Sequence, residues 1–332
     1  MALRRLGTTS LAVSPIGIGL AALGRPGYIN IGHADDLAGN YRVEEMEARA
    51  HAVLDAAYEG GIRYFDAARS YGRGEAFLGS WLQARELSPD AVVVGSKWGY
   101  TCTADWRVDA DVHEVKEHSV SVLRRQWAES SAILGGQLDL YQIHSATLDS
   151  GVLKNEEVLA ELAQLKANAG VAIGLTVSGA RQGPVVDQAI EIEIDGVRLF
   201  DSVQATWNLL ERSAGPALAR AHAAGLGIIV KEALANGRLT DRNSDAHFER
   251  QMAILQSEAR RLETSIDGLA LAGVLAQPWA DVVLSGAARV DHLASNLAAL
   301  NVAWDDEAAD RLEALTELPE IYWAERGELD WN

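Results

Sequence analysis

The chain has 332 residues and carries 29 Lys and Arg against 47 Asp and Glu, a formal charge of −18, which argues against a protein that holds nucleic acid through its phosphates. Apolar residues make up 48% and charged residues 23%, the balance of an ordinary folded chain, and the length suits one large domain or two small ones. The single cysteine, Cys102, excludes an intramolecular disulfide and fits a reducing, cytoplasmic compartment.

At the N-terminus, Arg4 and Arg5 ahead of the apolar stretch Leu11–Leu23 imitate a secretory signal. Pro15, Gly17, Gly19 and Gly24 interrupt that stretch, and Gly7-Thr8-Thr9-Ser10 reads instead as the turn of a β-hairpin. No run of 18 apolar residues follows anywhere, so no membrane span is expected. Short apolar, β-rich runs then recur at Ile16–Leu20, Ile62–Phe65, Ala91–Ser96, Leu138–Ile143, Ala172–Val177, Ser202–Thr206, Gly227–Val230 and Val282–Leu284. Between them lie helical patterns at Glu44–Glu59, Glu75–Arg85, Val112–Leu134, Asn155–Ala167, Pro184–Ile192 and Pro216–Ala223. Alternating strands and helices imply parallel crossovers, and continuous apolar runs fit strands covered on both faces. Eight such units, with no linker dividing them, predict a single (β/α)8 TIM barrel over residues 1–332. The rival is an open doubly wound sheet. Its dinucleotide fingerprint is approached by Gly17-Ile18-Gly19-Leu20-Ala21-Ala22, but Gly39 stands where an acidic ribose partner would be needed.

Three excursions interrupt the alternation: Gly24–Tyr41, Trp98–Asp111, and the tail after Leu318. All are expected to overhang the C-terminal mouth, where Tyr28, Trp98, Trp106 and Trp323 would line a substrate pocket. The alternative for Trp98, Trp106 and Trp323 is that they only pack loops onto the barrel.

Function in a parallel barrel belongs at the C-terminal ends of strands. Those positions hold Asp66 and Tyr71 after the second strand, Lys97 after the third and His144 after the fourth. Each alone has a plain structural explanation, but together they make a proton-transfer device. A free phenol, with a pKa of about 10, is a poor acid or base near neutrality, and a neighbouring ammonium would lower that value. Asp66 would hold Lys97 in place, and His144 would hydrogen-bond a substrate carbonyl.

At these residues the chain resembles the aldo-keto reductase family. The segment Gly61-Ile62-Arg63-Tyr64-Phe65-Asp66-Ala67-Ala68-Arg69-Ser70-Tyr71-Gly72 is similar to the family signature, and Gly74-Glu75 and Leu78-Gly79 follow as expected. Ser96-Lys97, Tyr141-Gln142-Ile143-His144, Gln204 with Asn208-Leu209-Leu210-Glu211-Arg212, and Gly286-Ala287 with Asn296 continue the resemblance over nearly the whole chain. It implies hydride transfer between a nicotinamide cofactor and a carbonyl carbon. Tyr71 would be the general acid/base, tuned by Lys97 and Asp66, with His144 orienting the carbonyl. Thr176 and Gln204 would lie near the carboxamide. Lys231, Leu234, Asn236, Gly237 and Arg238 would lie in the loop facing the pyrophosphate, and Gly286, Arg289, His292 and Asn296 toward the adenosine.

Several positions depart from the family pattern. The usual Ser-Asn pair after the fifth strand is Thr176-Val177. Lys231 replaces the aromatic residue that stacks on the nicotinamide, and it would contact a phosphate or pair with Glu232. His292 stands where an arginine often grips the 2′-phosphate, with Arg289 near enough to substitute. NADP is the expected cofactor, ahead of NADH, and no metal is part of the expectation. The implied activity is reduction of small or sugar-like carbonyls. Sugar or alcohol oxidation by the same site is the alternative, and a cofactor-binding regulatory subunit is the alternative from another class. Partners would be small molecules, not nucleic acid or membrane, and the oligomeric state is open.

Overall fold

The computed structural model describes residues 1–332. Eight parallel strands close into a barrel in chain order: β1 (Ile16–Gly19), β2 (Tyr64–Asp66), β3 (Val93–Trp98), β4 (Leu138–Ala146), β5 (Ala172–Val177), β6 (Ser202–Thr206), β7 (Gly227–Lys231) and β8 (Val282–Ser285). The ring is sealed by β8 against β1, with Val283 opposite Ile16 and Ser285 opposite Ile18. One helix follows each strand: α1 (Val43–Glu59), α2 (Gly74–Ala84), α3 (Val120–Leu134), α4 (Glu156–Ala169), α5 (Gln182–Ile190), α6 (Gly215–Ala223), α7 (Ile266–Leu275) and α8 (Val290–Ala298). Further helices at Glu249–Arg261, Asp306–Glu313 and Pro319–Gly327 lie outside this repeat. No helix is long and apolar enough to cross a membrane.

The strands are buried on both faces, as their unbroken apolar runs predict. The outward faces of β4–β7 pack with their helices into one core cluster, and those of β1–β3 into a second. Inside the barrel, Leu6, Val13, Tyr64, Val93, Leu140, Ile229 and Val282 form a small apolar layer at the N-terminal end. The hairpin of Arg4–Arg5 and Ala12–Val13 closes this end and delivers Leu6 to it. Contact there is close: a Cβ on Gly227 would stand 2.4 Å from Leu6 Cγ, so no larger residue fits. Above this layer the interior turns polar. Gly95 leaves room for the Tyr64 hydroxyl, since a Cβ there would come within 2.6 Å of it.

The observed elements differ from expectation in one substantial place. A helix over Val112–Leu134 is predicted, yet α3 starts only at Val120, capped by Ser119, whose Oγ accepts from Val122 N. Residues Glu114–Lys116 instead pair antiparallel with Tyr100–Cys102. Gly99, at φ 106°, turns the chain into this hairpin, a conformation that L side chains rarely adopt. The Gly24–Tyr41 excursion also contains a short helix, His33–Asp36.

Candidate active site

Asp66 ends β2, and the chain beyond it continues to pair with β3: Ala67 N donates to Gly95 O and Arg69 N to Lys97 O. The turn at Tyr71 is packed backbone to backbone against Gly24, where a Cβ would stand 2.3 Å from Tyr71 O. Lys97 comes up from β3 with no exposed side-chain surface. Its Nζ makes an ion pair with Asp66, donates to Ala67 O at 2.8 Å and lies 3.3 Å from the Tyr71 hydroxyl. Asp66 Oδ1 meanwhile accepts from the Tyr64 hydroxyl at 3.0 Å, from Gln204 Nε2 at 3.0 Å and from Gln142 Nε2 at 3.3 Å. A carboxylate with so many donors is fixed, and it fixes the lysine.

His144 reaches the site through a break in β4. The β4–β5 register shifts between Ile143 and Ala146, and Ser145 sits at φ 53°. Such a bulge re-aims a neighbouring side chain. The Thr176 hydroxyl accepts from Ser145 N at 2.7 Å, so Thr176 holds this bulge and does not face the cavity. The His144 ring meets Tyr71 edge-on at 5.6 Å between centroids, with Nδ1 3.4 Å from Ser70 Oγ. Burial, reinforced by the charges of Lys97, Arg25 and Lys231, holds His144 well below the ordinary imidazole range, so it is neutral.

The expectation for Tyr71 needs correcting. Burial first, and then the charge of Asp66, push its phenol above the ordinary value and not below it. Lys97 does not win because its charge is already engaged by Asp66 and its own pKa is lowered by burial. The resting group is a protonated phenol.

Tyr71 and His144 open into a cavity of about 1050 Å³ that runs across the barrel mouth to Ser285–Ala288 and Asn296. Of the residues expected to hold a cofactor, Gln204, Lys231, Leu234, Asn236, Gly237, Gly286, His292 and Asn296 line it. Arg238 does not: it is bound by Glu317 at 2.6 and 3.0 Å and by Glu325 at 2.6 Å, pinning the C-terminal segment. Arg289 also lies outside the lining and pairs with Asp291 at 2.8 Å on the surface. Beside His292 the cation on the cavity wall is Arg242, whose Nη2 is 2.6 Å from Asp36 Oδ1 and 3.0 Å from His292 Nε2. Lys231 donates to Thr206 Oγ1 at 2.7 Å, with Glu232 3.8 Å away. Burial, partly offset by Glu232, brings its ammonium down to about 8.

An extended dinucleotide fits this wall. A side chain at Gly286 would meet no protein atom within 4 Å and would occupy the cavity itself. Asn236 Oδ1 is buried without a partner.

The aromatic expectations divide. Tyr28 and Trp323 line the cavity. Trp98 does not: it is fully buried in β3 with its ring 5.6 Å from His118. Trp106 packs 6.2 Å from Phe77, donates to Tyr41 O at 2.7 Å, and borders only a smaller neighbouring cleft. For these two the loop-packing alternative holds. Residues that sequence reasoning passed over are Arg25, Glu114, Arg242, Arg326 and Trp331, all on the cavity wall. None lies at the end of a barrel strand, and Trp331 is recognisable only once the tail is seen stacked on His113 at 3.9 Å.

The family model described as Aldo/keto reductase family matches residues 15–317. Among curated relatives, an uncharacterized oxidoreductase, YqkF, from Bacillus subtilis is 25% identical, the match covering 97% of this chain and 99% of that one. An NADH-specific methylglyoxal reductase from Escherichia coli is also 25% identical, over 94% and 97% of the two chains. The holo form of the aldo-keto reductase AKR11C1 from Bacillus halodurans shares the fold, with a TM-score of 0.72 at 19% identity over 96% of this chain and 97% of that one. With a closed barrel, a buried Asp-Lys pair beside a tyrosine, and a family match over almost its full length, this chain belongs to the aldo/keto reductase family and is an NAD(P)H-dependent oxidoreductase.

Proposed function

We propose that the protein reduces the carbonyl group of small or sugar-like aldehydes and ketones, with Tyr71 as general acid. The observation that carries this reading is the Tyr71 hydroxyl, 3.3 Å from Lys97 Nζ, on a cavity wall shared with neutral His144. The nicotinamide cofactor supplies the hydride. A neutral His144 donates one ring N–H to the substrate oxygen and so holds the carbonyl beside Tyr71. As negative charge grows on that oxygen, Tyr71 releases its proton to it, and the ammonium of Lys97 stabilises the phenolate left behind. Asp66 does not touch substrate; it positions Lys97. The raised phenol keeps in place the proton that reduction delivers. Following NADPH and NADH consumption against a panel of aldehydes and ketones tests the proposal; cofactor binding without turnover of any carbonyl would favour the regulatory-subunit alternative.

We infer NADP as the cofactor, with Arg242 in the place first expected of Arg289. The support is its position on the cavity wall beside His292. A specific observation favours NADH as the second reading: Asp36 already occupies Arg242 and presents a carboxylate where a ribose hydroxyl would be welcome. Titrating both cofactors against the parent protein, Arg242→Ala and Asp36→Asn by fluorescence separates the two. With NADP, Arg242→Ala weakens NADPH by about 10- to 150-fold and NADH little, the effect of one charge-assisted phosphate contact. Tighter NADH binding in the parent, weakened by Asp36→Asn, would replace NADP by NADH.

A further inference from the structure

Arg25 stands beside the reacting groups, and the chemistry derived above uses it only as one of the charges that keep His144 neutral. It is buried, lines the large cavity and the smaller cleft next to it, and its guanidinium carbon lies 5.0, 5.2 and 4.7 Å from the ring centroids of Tyr28, Tyr71 and Trp331. Three rings hold the planar group in place, which removes much of the entropy cost of using it. Its hydrogen bonding is incomplete. Nη1 donates to Glu114 Oε2 at 3.0 Å and to Ser70 O at 3.4 Å, while Nη2 makes no bond within the protein. Nε is buried and unpartnered, whereas Nη2 is not enclosed. A guanidinium carries five donors in a fixed fork and can serve two carboxylates at once. Glu114 uses one corner, and the other is left open.

A second cation reinforces the site. Lys231 faces the same cavity, and its nearest carboxylate, Glu232, is bound by Arg326 through both oxygens. The pair Arg25–Glu114 is neutral, as is Lys97–Asp66, so the reactive end of the cavity carries a net positive charge while the whole chain stands at −18. A positive pocket in an acidic protein selects by charge.

We propose that Arg25 is a specificity-determining residue that binds a carboxylate on the substrate, so that the preferred substrates are oxo acids and carboxylate-bearing aldehydes. This rests on the carbonyl-reductase reading of the same site. Arg25 Nη2 takes the substrate carboxylate, Glu114 keeps the guanidinium turned toward the cavity, and the carbonyl at the other end of a short substrate meets Tyr71 and His144.

The test compares 4-formylbenzoate with its neutral methyl ester in two ways: kcat/KM, and binding without cofactor read by quenching of tryptophan fluorescence. The parent protein is expected to prefer the acid by at least about 10-fold on both measures. Arg25→Met should lower that preference by about 10- to 150-fold, Arg25→Lys should restore part of it, and Glu114→Gln should raise it. Equal use of acid and ester by the parent, or equal losses on both in Arg25→Met, would overturn the proposal. Failure of the carbonyl reading looks different: neither compound turns over, and the preference for binding 4-formylbenzoate, lost in Arg25→Met, remains as the mark of the anchor. If that binding preference is absent as well, the anchor falls with it.

Discussion

Asp66 is the residue on which the site depends, although it touches no substrate. It holds the Lys97 ammonium and accepts from Tyr64, Gln142 and Gln204. Asp66→Asn would leave a buried ammonium without its counter-charge, at a cost of about 3–5 kcal/mol. The expected outcome is a lower melting temperature together with lost turnover, read by calorimetry and assay on one preparation; unchanged stability would show that the pair is dispensable. Tyr71→Phe separates chemistry from binding. Removing a positioned proton donor costs roughly 10²–10⁴-fold in kcat, while cofactor affinity by fluorescence titration should stay near the parent value. Substantial turnover in that variant would take the proton-donor role from Tyr71. Asp66, Tyr71, Lys97 and His144 were legible because each stands near or just beyond the end of a recognisable strand. Arg25, between Gly24 and Pro26, and Arg242, in a polar stretch without periodicity, carry no such address. The direction of the Tyr71 shift was also illegible, since it depends on how deeply the folded chain buries the phenol and how completely Asp66 engages Lys97.

At the scale of elements, the strands were readable to within two or three residues because burial on both faces leaves an unbroken apolar run. The helix predicted over Val112–Leu134 failed for a physical reason: periodicity cannot see that Gly99 reverses the chain and that Ser119, not a residue near 112, is the cap. The tail gave even less signal. Its helix, Pro319–Gly327, is held over the cavity by Arg326, which grips Glu232 at 2.5 Å, while Glu232 also accepts from Thr206 at 3.0 Å. Arg326 and Lys231 overcome burial and bring the Glu232 carboxyl down to about 2. Glu232→Gln should therefore destabilise by about 3 kcal/mol, the low end for a broken buried pair, since Arg326 keeps a quarter of its side chain in water. Hydrogen exchange should show the loss of protection concentrated in residues 319–327; uniform loss across the barrel would mean that the ion pair does not dock this helix.

For the whole molecule, acid sensitivity has identifiable sources. His33 and His118 are driven by burial from 6.5 down to about 4. The unfolded chain takes up their protons as pH falls through 6.5, while the folded chain refuses them until about 4. Stability is therefore complete above pH 6.5 and declines between 6.5 and 4, by about 3 kcal/mol per histidine at 1.36 kcal/mol per unit. Asp139, raised by burial to about 6, acts in the opposite sense and softens the decline. The drop in melting temperature from pH 7 to pH 4.5 should be smaller in His33→Gln than in the parent. Parallel curves would assign acid sensitivity elsewhere.

The seal between β8 and β1 bears on how the molecule comes to exist. Ile16 is translated early, yet its partner Val283 emerges only when most of the chain has been made, and Leu6 waits as long for the floor of a closed ring. Until then the growing polypeptide exposes an unpaired strand at each end of a curved sheet, the kind of edge that recruits neighbours on a crowded ribosome. Closure couples the earliest and the latest segments, so the nascent barrel depends on late synthesis for solubility. A pause in synthesis before Val282–Ser285 has emerged would prolong that exposure, whereas one after its emergence would not.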